Sequence, residues 1–309
     1  GRQLQSIFIG GGTPSLFSAA AIKTLLDGVA AQIPFADDIE ITMEANPGTV
    51  EAGRFIGYQR AGVTRISIGV QSFQPEKLQR LGRIHDPAQA IAAGLQAKQA
   101  GLRSFNIDLM HGLPEQSVSD ALSDLQQAIE IAPPHLSWYQ LTIEPNTAFG
   151  SRPPVLPEDE TLWDIQEQGH QLLLAAGYRQ YEISAYAKPG FECRHNLNYW
   201  QFGDYLGIGC GAHGKITMPA EARIIRTVKV KHPKGYLDPE RAFLDQSWDV
   251  EDEDRPFEYF MNRMRLFQPI PKAEFTARTN LPAESVEAMF KRAYEQELLE
   301  QSETEWKVT

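Results

Sequence analysis

A chain of 309 residues is long enough for one large α/β domain plus an appendage. Its formal net charge of −11 excludes a nucleic-acid binder that works by neutralising phosphates, and no apolar run approaches membrane-spanning length. Two cysteines, Cys193 and Cys210, give no disulfide framework, so a reducing cytoplasm is the expected compartment and both thiols are expected as small buried apolar groups.

The first apolar run, Ile7-Phe8-Ile9, is too short for a helix and ends in Gly10-Gly11-Gly12-Thr13-Pro14-Ser15. That pattern predicts a buried strand opening into a loop and then a helix from Ala19 to Ile33. Consecutive glycines cost backbone entropy, and they make sense where peptide groups themselves must reach a ligand. No Gly-Lys-Ser/Thr follows, so the loop is not a nucleotide phosphate loop. Next comes a strand at Ile39–Glu44, ending in Ala45-Asn46-Pro47-Gly48, and a helix from about Val50 to Ala61. Thr64–Gln71 alternates as a strand and leads to helices at Pro75–Leu81 and Asp86–Ala100. Asp86 before Pro87 is a good N-cap and Gly101 a good stop. Ser104–Met110 (strand), Ser117–Ala132 (helix) and Leu136–Ile143 (strand) follow. A proline-rich loop then precedes a helix from Glu158 to Ala176, and strands at Tyr181–Tyr186 and Tyr205–Gly209 complete the set.

Strand–helix units of this length imply a parallel sheet, because parallel neighbours need a crossover. With about six units and no dinucleotide fingerprint at the first, the expected fold class is α/β, a partial (β/α)6 TIM-like barrel. Active sites of such barrels sit at the carboxyl ends of strands. Those ends carry Gly10–Gly12, Glu44, Gln71, Asp108, Gln140 with Thr142, and Glu182 with Ser184, a ring of polar groups that reads as a ligand site. Beyond Gly214 the rhythm changes: Lys215–Val230 has no helical period, and the acidic run Glu251–Asp254 reads as a solvated cap before a helix at Pro256–Phe267. A further helix, Glu284–Leu299, precedes Trp306. The expected division is a barrel at 1–215 and a small helical or winged-helix-like domain at 216–309. Both chain ends read as cut, with a first strand expected ahead of Gly1 and the second domain stopping short. Gly209-x-Gly211-x-x-Gly214 matches a dinucleotide fingerprint, but Lys215–Pro219 is β-branched and proline-broken, so no helix N-terminus is there to hold a pyrophosphate.

Four stretches occur in an order that matters: Gly10–Ser15, Glu44–Gly48, Ser67–Phe73 and Asn106–Pro114. Together they resemble the radical S-adenosylmethionine (SAM) enzymes related to oxygen-independent coproporphyrinogen III oxidase. His195-Asn196-Leu197-Asn198-Tyr199-Trp200 and Gly207–Gly214 resemble the heme-chaperone branch of that family, and the resemblance extends through Phe257–Arg263. It implies a SAM site at Gly11, Gly12, Thr13, Glu44, Gln71, Arg83 and Asp108. The chemistry suits: glycine carbonyls for an ammonium, carboxylate and amide for ribose hydroxyls, and a guanidinium for a carboxylate. For Arg83 a surface salt bridge is the competing reading. Heme is implied at His195, as candidate iron ligand, with Asn196, Tyr199 and Trp200 beside it in a loop near the barrel mouth. A hydrogen-bonded structural histidine is the alternative there, and His213 is a second candidate. The family's [4Fe–4S] cluster is held by a Cys-x-x-x-Cys-x-x-Cys triad expected ahead of Gly1; Cys193 and Cys210 lack that spacing. The function implied is a chaperone that binds heme and hands it to respiratory or other heme-accepting proteins, with cluster and SAM in the intact protein gating transfer. A homodimer and a peripheral association with the membrane through the acceptor are further expectations. The rivals are coproporphyrinogen III oxidation by a SAM-derived radical and a cofactorless interaction module.

Overall fold

The computed structural model describes residues 1–49 and 52–309, which group into two compact units, Gly1–His195 and Asn196–Thr309. In the first unit, strand and helix alternate as β1 Leu4–Ile9, α1 Ala19–Gln32, β2 Phe35–Ala45, α2 Ala52–Ala61 and β3 Arg65–Gln71. The expected start of α2 at Val50 lies outside the described residues. Then come α3 Pro75–Arg80, α4 Pro87–Gln99, β4 Ser104–His111, α5 Val118–Ile131, β5 His135–Gln140, the single turn α6 Ala148–Ser151 and α7 Asp159–Ala175. Local signals explain the helix starts. Asp86 and Ser117 each close a reciprocal capping box with the residue three on, Gln89 and Asp120.

The unit closes with β6 Arg179–Glu182 and β7 Ala185–Ala187, followed by α8 Arg194–Trp200, which carries the chain into the second unit. The sheet order is β1-β2-β3-β4-β5-β7-β6. Neighbours from β1 to β5 pair in parallel, whereas β7 runs antiparallel to both β5 and β6. This is the α/β half-barrel of the expected class, with one correction. Tyr181–Tyr186 is not a single strand but a hairpin, its turn at Ile183-Ser184 closed by Ser184 N–H donating to Glu182 Oε1 and Gln180 Nε2 donating to the Ile183 carbonyl.

Period-2 alternation gives the sheet two unlike faces. One face carries Ile41, Met43, Ile66, Ile68, Val70, Phe105, Ile107, Leu109, Leu136 and Trp138, which share a core with Ile22, Leu26, Phe55, Tyr58, Leu125, Ile165 and Leu173 of the helices. Full burial of each large aliphatic or aromatic side chain is worth roughly 1.5–3 kcal/mol, so this face holds the barrel together. The other face reads Glu40, Thr42 and Glu44 on β2, Arg65, Ser67 and Gln71 on β3, Asn106 and Asp108 on β4, and His135 and Ser137 on β5. Parallel strands buried on both sides are normally apolar on both. A polar inner face is the mark of a barrel that holds something.

In the second unit, β8 His213–Met218, β9 Arg223–Lys229 and β10 Leu244–Asp249 form an antiparallel sheet, with the short helix α9 Pro233–Tyr236 between the last two. Tyr205–Gly209, expected as a strand, contributes only a single bridge, Tyr205 to Lys215. The chain continues through α10 Arg255–Arg263, β11 Ile270–Pro271, α11 Lys272–Thr279, a 3-10 turn at Ala283–Val286, α12 Glu287–Glu295, β12 Leu299–Gln301 and β13 Glu305–Val308. The last three strands make a small sheet ordered β11-β13-β12. Tyr259, Phe260, Phe275, Phe290 and Trp306 fill the core between these helices and strands, mostly in edge-to-face contacts.

Candidate functional site

The loop after β1 is built to expose backbone. Gly11 and Gly12 have φ of +83° and +62°, and a Cβ placed on either would meet nothing within 4 Å. Glu44, the penultimate residue of β2, accepts the Gly11 N–H at 3.0 Å and so ties the loop to the next strand. Thr13 follows at the start of a 3-10 turn, Pro14–Leu16.

Beside this loop lies a cleft of about 230 Å³, lined among others by Gly12, Glu44, Gln71, Arg83 and Asp108. Five of the residues expected at a ligand site thus meet in one concavity, with Gly11 and Thr13 flanking Gly12 in the chain. Gln71 is buried at φ +70°, and its Oε1 accepts from the Tyr139 hydroxyl at 3.0 Å, which leaves the amide nitrogen as the donor. Burial pushes the Tyr139 phenol up to about 12, so it remains a donor. Asp108 accepts from Asn106 Nδ2 at 2.7 Å and from Ser67 Oγ at 3.2 Å. Burial pushes its carboxyl up, while those hydrogen bonds and the nearby Arg65 pull it back. Arg83 is exposed and forms no ion pair among the described residues, so the surface salt-bridge reading lacks a partner there. Two carboxylates, an amide, a guanidinium and bare peptide groups suit a small zwitterionic, hydroxyl-bearing ligand.

The cleft also uses Pro14, Ala45, Asn46, Ser67, Gly69 and Tyr139, none of them named as a site residue from the sequence, although all but Tyr139 fall in the motif stretches. For Ser67, Gly69 and Tyr139 the signal was there, in the alternation that puts them on the same strand face as Gln71 and Ser137. Gln140 and Thr142 are exposed and outside the cleft, one step out of phase with Tyr139. Glu182 is buried in its own hairpin, so it and Ser184 do not join the ring either.

Below the cleft a chain of polar contacts crosses the barrel. Asn106 Oδ1 faces His135 Nδ1 at 2.6 Å, and His135 Nε2 faces the Tyr181 hydroxyl at 2.7 Å. Burial pushes His135 well down, so it is a neutral imidazole, donating from Nδ1 to the amide oxygen and accepting the phenol proton at Nε2. Cys193 N–H donates to the same phenol oxygen at 3.2 Å. Glu40 then accepts from the Cys193 thiol at 3.4 Å and from the backbone N–H groups of Arg194 at 3.0 Å and His195 at 3.1 Å.

His195 therefore stands in the first turn of α8 rather than in a loop. Its ring is half-buried and stacks on Phe8, with centroids 4.7 Å apart and planes 23° apart. Burial lowers its pKa, with Glu40 opposing and Arg65 assisting. Asn196, Tyr199 and Trp200 share the helix. Tyr199 is exposed and packs edge-on to Trp200, whose own ring is covered by the Arg265 guanidinium at 4.3 Å. Trp200 Nε1 is buried with no partner among the described residues. His213 is exposed at the start of β8. Cys193 is buried as expected, but Cys210 is exposed, since it sits among glycines that leave little side chain to cover it.

Comparison with known proteins joins these observations. The radical SAM superfamily profile matches residues 1–125, and that of the HemN C-terminal domain matches residues 250–309. The chain is 63% identical over 309 residues to the heme chaperone HemW of Escherichia coli, covering all of this chain and 81% of that protein. It is 60% identical over 308 residues to the heme chaperone HemW of Haemophilus influenzae, covering 80% of it. Among solved structures, coproporphyrinogen III oxidase (HemN) from Escherichia coli superposes with a TM-score of 0.82 at 22% identity, over all of this chain and 75% of that one, a likeness of fold. The radical SAM family implies SAM and a [4Fe–4S] cluster. The cleft fits the first, because an open glycine, two carboxylates, an amide and a guanidinium converge on it. The residues present do not fit the second: the chain has two cysteines, and no group of three or more His, Cys, Asp or Glu suited to a metal occurs among the described residues. Identity sustained along the whole chain, with the half-barrel and the C-terminal domain both in place, makes this chain a member of the heme chaperone HemW family of radical SAM proteins.

Proposed function

We propose that this chain binds heme through His195 and passes it to a heme-accepting protein, and that the cleft beside the glycine loop holds SAM. The observation that carries the heme reading is the state of His195: only partly buried at a helix start, with burial favouring the neutral imidazole. A neutral ring has the lone pair that iron needs. Asn196 and Tyr199 lie on the same short helix as further heme contacts, and Trp200 backs it.

In the cleft, peptide groups at Gly11 and Gly12 meet the ammonium of SAM, with Thr13 adding a hydroxyl. Arg83 pairs with the carboxylate, and Glu44, Gln71 and Asp108 take the ribose hydroxyls and the base. When bound, SAM supplies a sulfonium cofactor whose presence these residues register. A cluster held by the intact protein, a homodimer, a cytoplasmic setting and a peripheral approach to the membrane through respiratory acceptors belong to the same proposal. So does a division into a barrel domain at 1–215 and a C-terminal domain at 216–309. No helix among the described residues is long and apolar enough to cross a membrane.

The test is heme titration of the purified chain followed by transfer to an apo-hemoprotein. His195→Ala is expected to lose the Soret band and the transfer. Turnover of coproporphyrinogen under anaerobic reducing conditions, with heme binding indifferent to His195, would replace this reading by the oxidase.

A further inference from the structure

The three glycines of the loop do not do the same job. Gly11 and Gly12 are left-handed and open, whereas Gly10 is neither. A Cβ on Gly10 would stand 2.6 Å from Phe8 Cε1 and 3.0 Å from Glu44 Oε2. Its φ is not in the left-handed region, so the backbone would accept alanine; what excludes a side chain is space. The groups that occupy that space are the Phe8 ring, which comes nearest, and the Glu44 carboxylate, and the same ring stacks on His195. Phe8 itself makes none of the cleft's lining.

His195 is thus held twice by the barrel's inner face, once at its ring and once at its backbone. Phe8 of β1 lies against its ring, and Glu40 of β2 accepts the backbone N–H of the same residue. A stacked neighbour leaves the ring's in-plane lone pairs available to a metal, while it limits rotation of the ring about its χ angles. At a heme iron that rotation sets the angle of the imidazole plane to the pyrrole nitrogens. We propose that Phe8 is the positioning residue that fixes the imidazole plane of His195 for heme iron, and that Gly10 is glycine to let that ring lie against the histidine. This rests on the reading of His195 as the heme ligand. It also joins the glycine loop to the histidine through a single side chain, so the two motifs of the chain are mechanically one.

Ferric heme is titrated into the full chain as wild type, Phe8→Ala, Phe8→Tyr, Gly10→Ala and the double variant Gly10→Ala/Phe8→Ala. Soret absorbance reads affinity, and electron paramagnetic resonance reads the axial ligand field. Phe8→Ala is expected to weaken heme binding about three- to tenfold, the worth of one aromatic stack, and to broaden the ligand-field signal. Phe8→Tyr restores both. Gly10→Ala shifts the signal in the presence of Phe8 and shifts it less in its absence, where only the Glu44 carboxylate still crowds the added methyl, and it is the ligand-field readout that a merely structural role would not move. Where Phe8→Ala fails to fold by circular dichroism, Phe8→Leu, which keeps bulk and loses the planar face, takes its place. A Gly10→Ala signal identical to wild type, or equal effects with and without Phe8, overturns the inference. His195→Ala is run alongside. If it binds heme as wild type does, the heme-ligand reading falls and takes this inference with it. If it loses heme while every Phe8 variant matches wild type, only this inference falls.

Discussion

Acid should unfold this protein partly through a residue that no ligand touches. His111 ends β4 at 2% exposure, its ring 4.3 Å from that of Trp138 and its Nδ1 without a hydrogen-bond partner among the described residues. Burial lowers its pKa from 6.5 to about 4. Protons therefore bind the unfolded chain first. The stability this residue contributes is fully present above pH 6.5 and is lost as pH falls toward 4. A drop of that size corresponds to about 3 kcal/mol. Asp124 works in the opposite sense: buried under Ser72 and the Phe73 N–H, it is raised to about 6, so it favours the fold below its unfolded value and loses that contribution as pH rises through 6. The wild-type profile between pH 4 and 6 is then a difference of two terms, and His111→Leu isolates one of them. An apolar replacement loses no hydrogen bond at Nδ1, so stability at pH 7 should change by no more than about 1 kcal/mol. Urea denaturation at pH 7 and pH 4.5, followed by circular dichroism, should find the variant retaining about 2–3 kcal/mol more than wild type on acidification. Parallel losses in the two proteins would refute the argument, because they would mean that His111 takes up its proton in the folded state as readily as in the unfolded one.

Two glycines should respond to alanine in opposite ways. Gly169, in the middle of α7, lies against Trp138, and a Cβ there would come 2.7 Å from Cζ2 and 2.8 Å from Cζ3. Although alanine is the better helix former by about 1 kcal/mol, displacing a buried tryptophan costs about 1–3 kcal/mol, so Gly169→Ala should lower Tm, and a raised Tm would show that the ring has room to move. Gly12→Ala meets no atom within 4 Å but must hold φ near +62°, at a cost of about 1 kcal/mol. It should fold and bind SAM more weakly by equilibrium dialysis, and an unchanged affinity would remove Gly12 from the proposed SAM site.

How much of this could be read from the sequence depended on whether the signal was local. The five parallel strands were legible because each is a short apolar run closed by a glycine, proline or capping residue, and β4 with α5 begins and ends within two residues of expectation. The β6–β7 hairpin was not, because its turn contains no glycine, proline or asparagine and is closed by the side chains of Gln180 and Glu182. The α8 helix was mistaken for a loop for a related reason. Pro189-Gly190 announces a turn, and the group that satisfies the first N–H donors of the helix is Glu40, which no local pattern reveals. Phase was the other failure. Tyr139 and Gln140 are both polar enough to line a cleft; alternation pairs the tyrosine with Ser137, and the register of β5 with β4 shows that this is the face of Asp108.

The glycine loop and the histidine run, far apart in sequence, are tied to one strand. On a strand, residues four apart stand on the same face about 13 Å from one another. Glu40 and Glu44 are such a pair on β2: the upper one accepts the Gly11 N–H of the loop at 3.0 Å, and the lower one accepts the His195 N–H at 3.1 Å. Between them Thr42 points the same way with its hydroxyl unpartnered among the described residues. A single strand, second from the sheet edge, thus sets the distance from the glycine loop to the start of α8, and the neighbouring β1 carries Phe8 near its end with Gly10 just beyond. Neither carboxylate makes sense as surface charge or as general sheet polarity. Each accepts a backbone N–H from a different motif, which is what a scaffold must do if the two proposed ligand sites are to keep a fixed spacing.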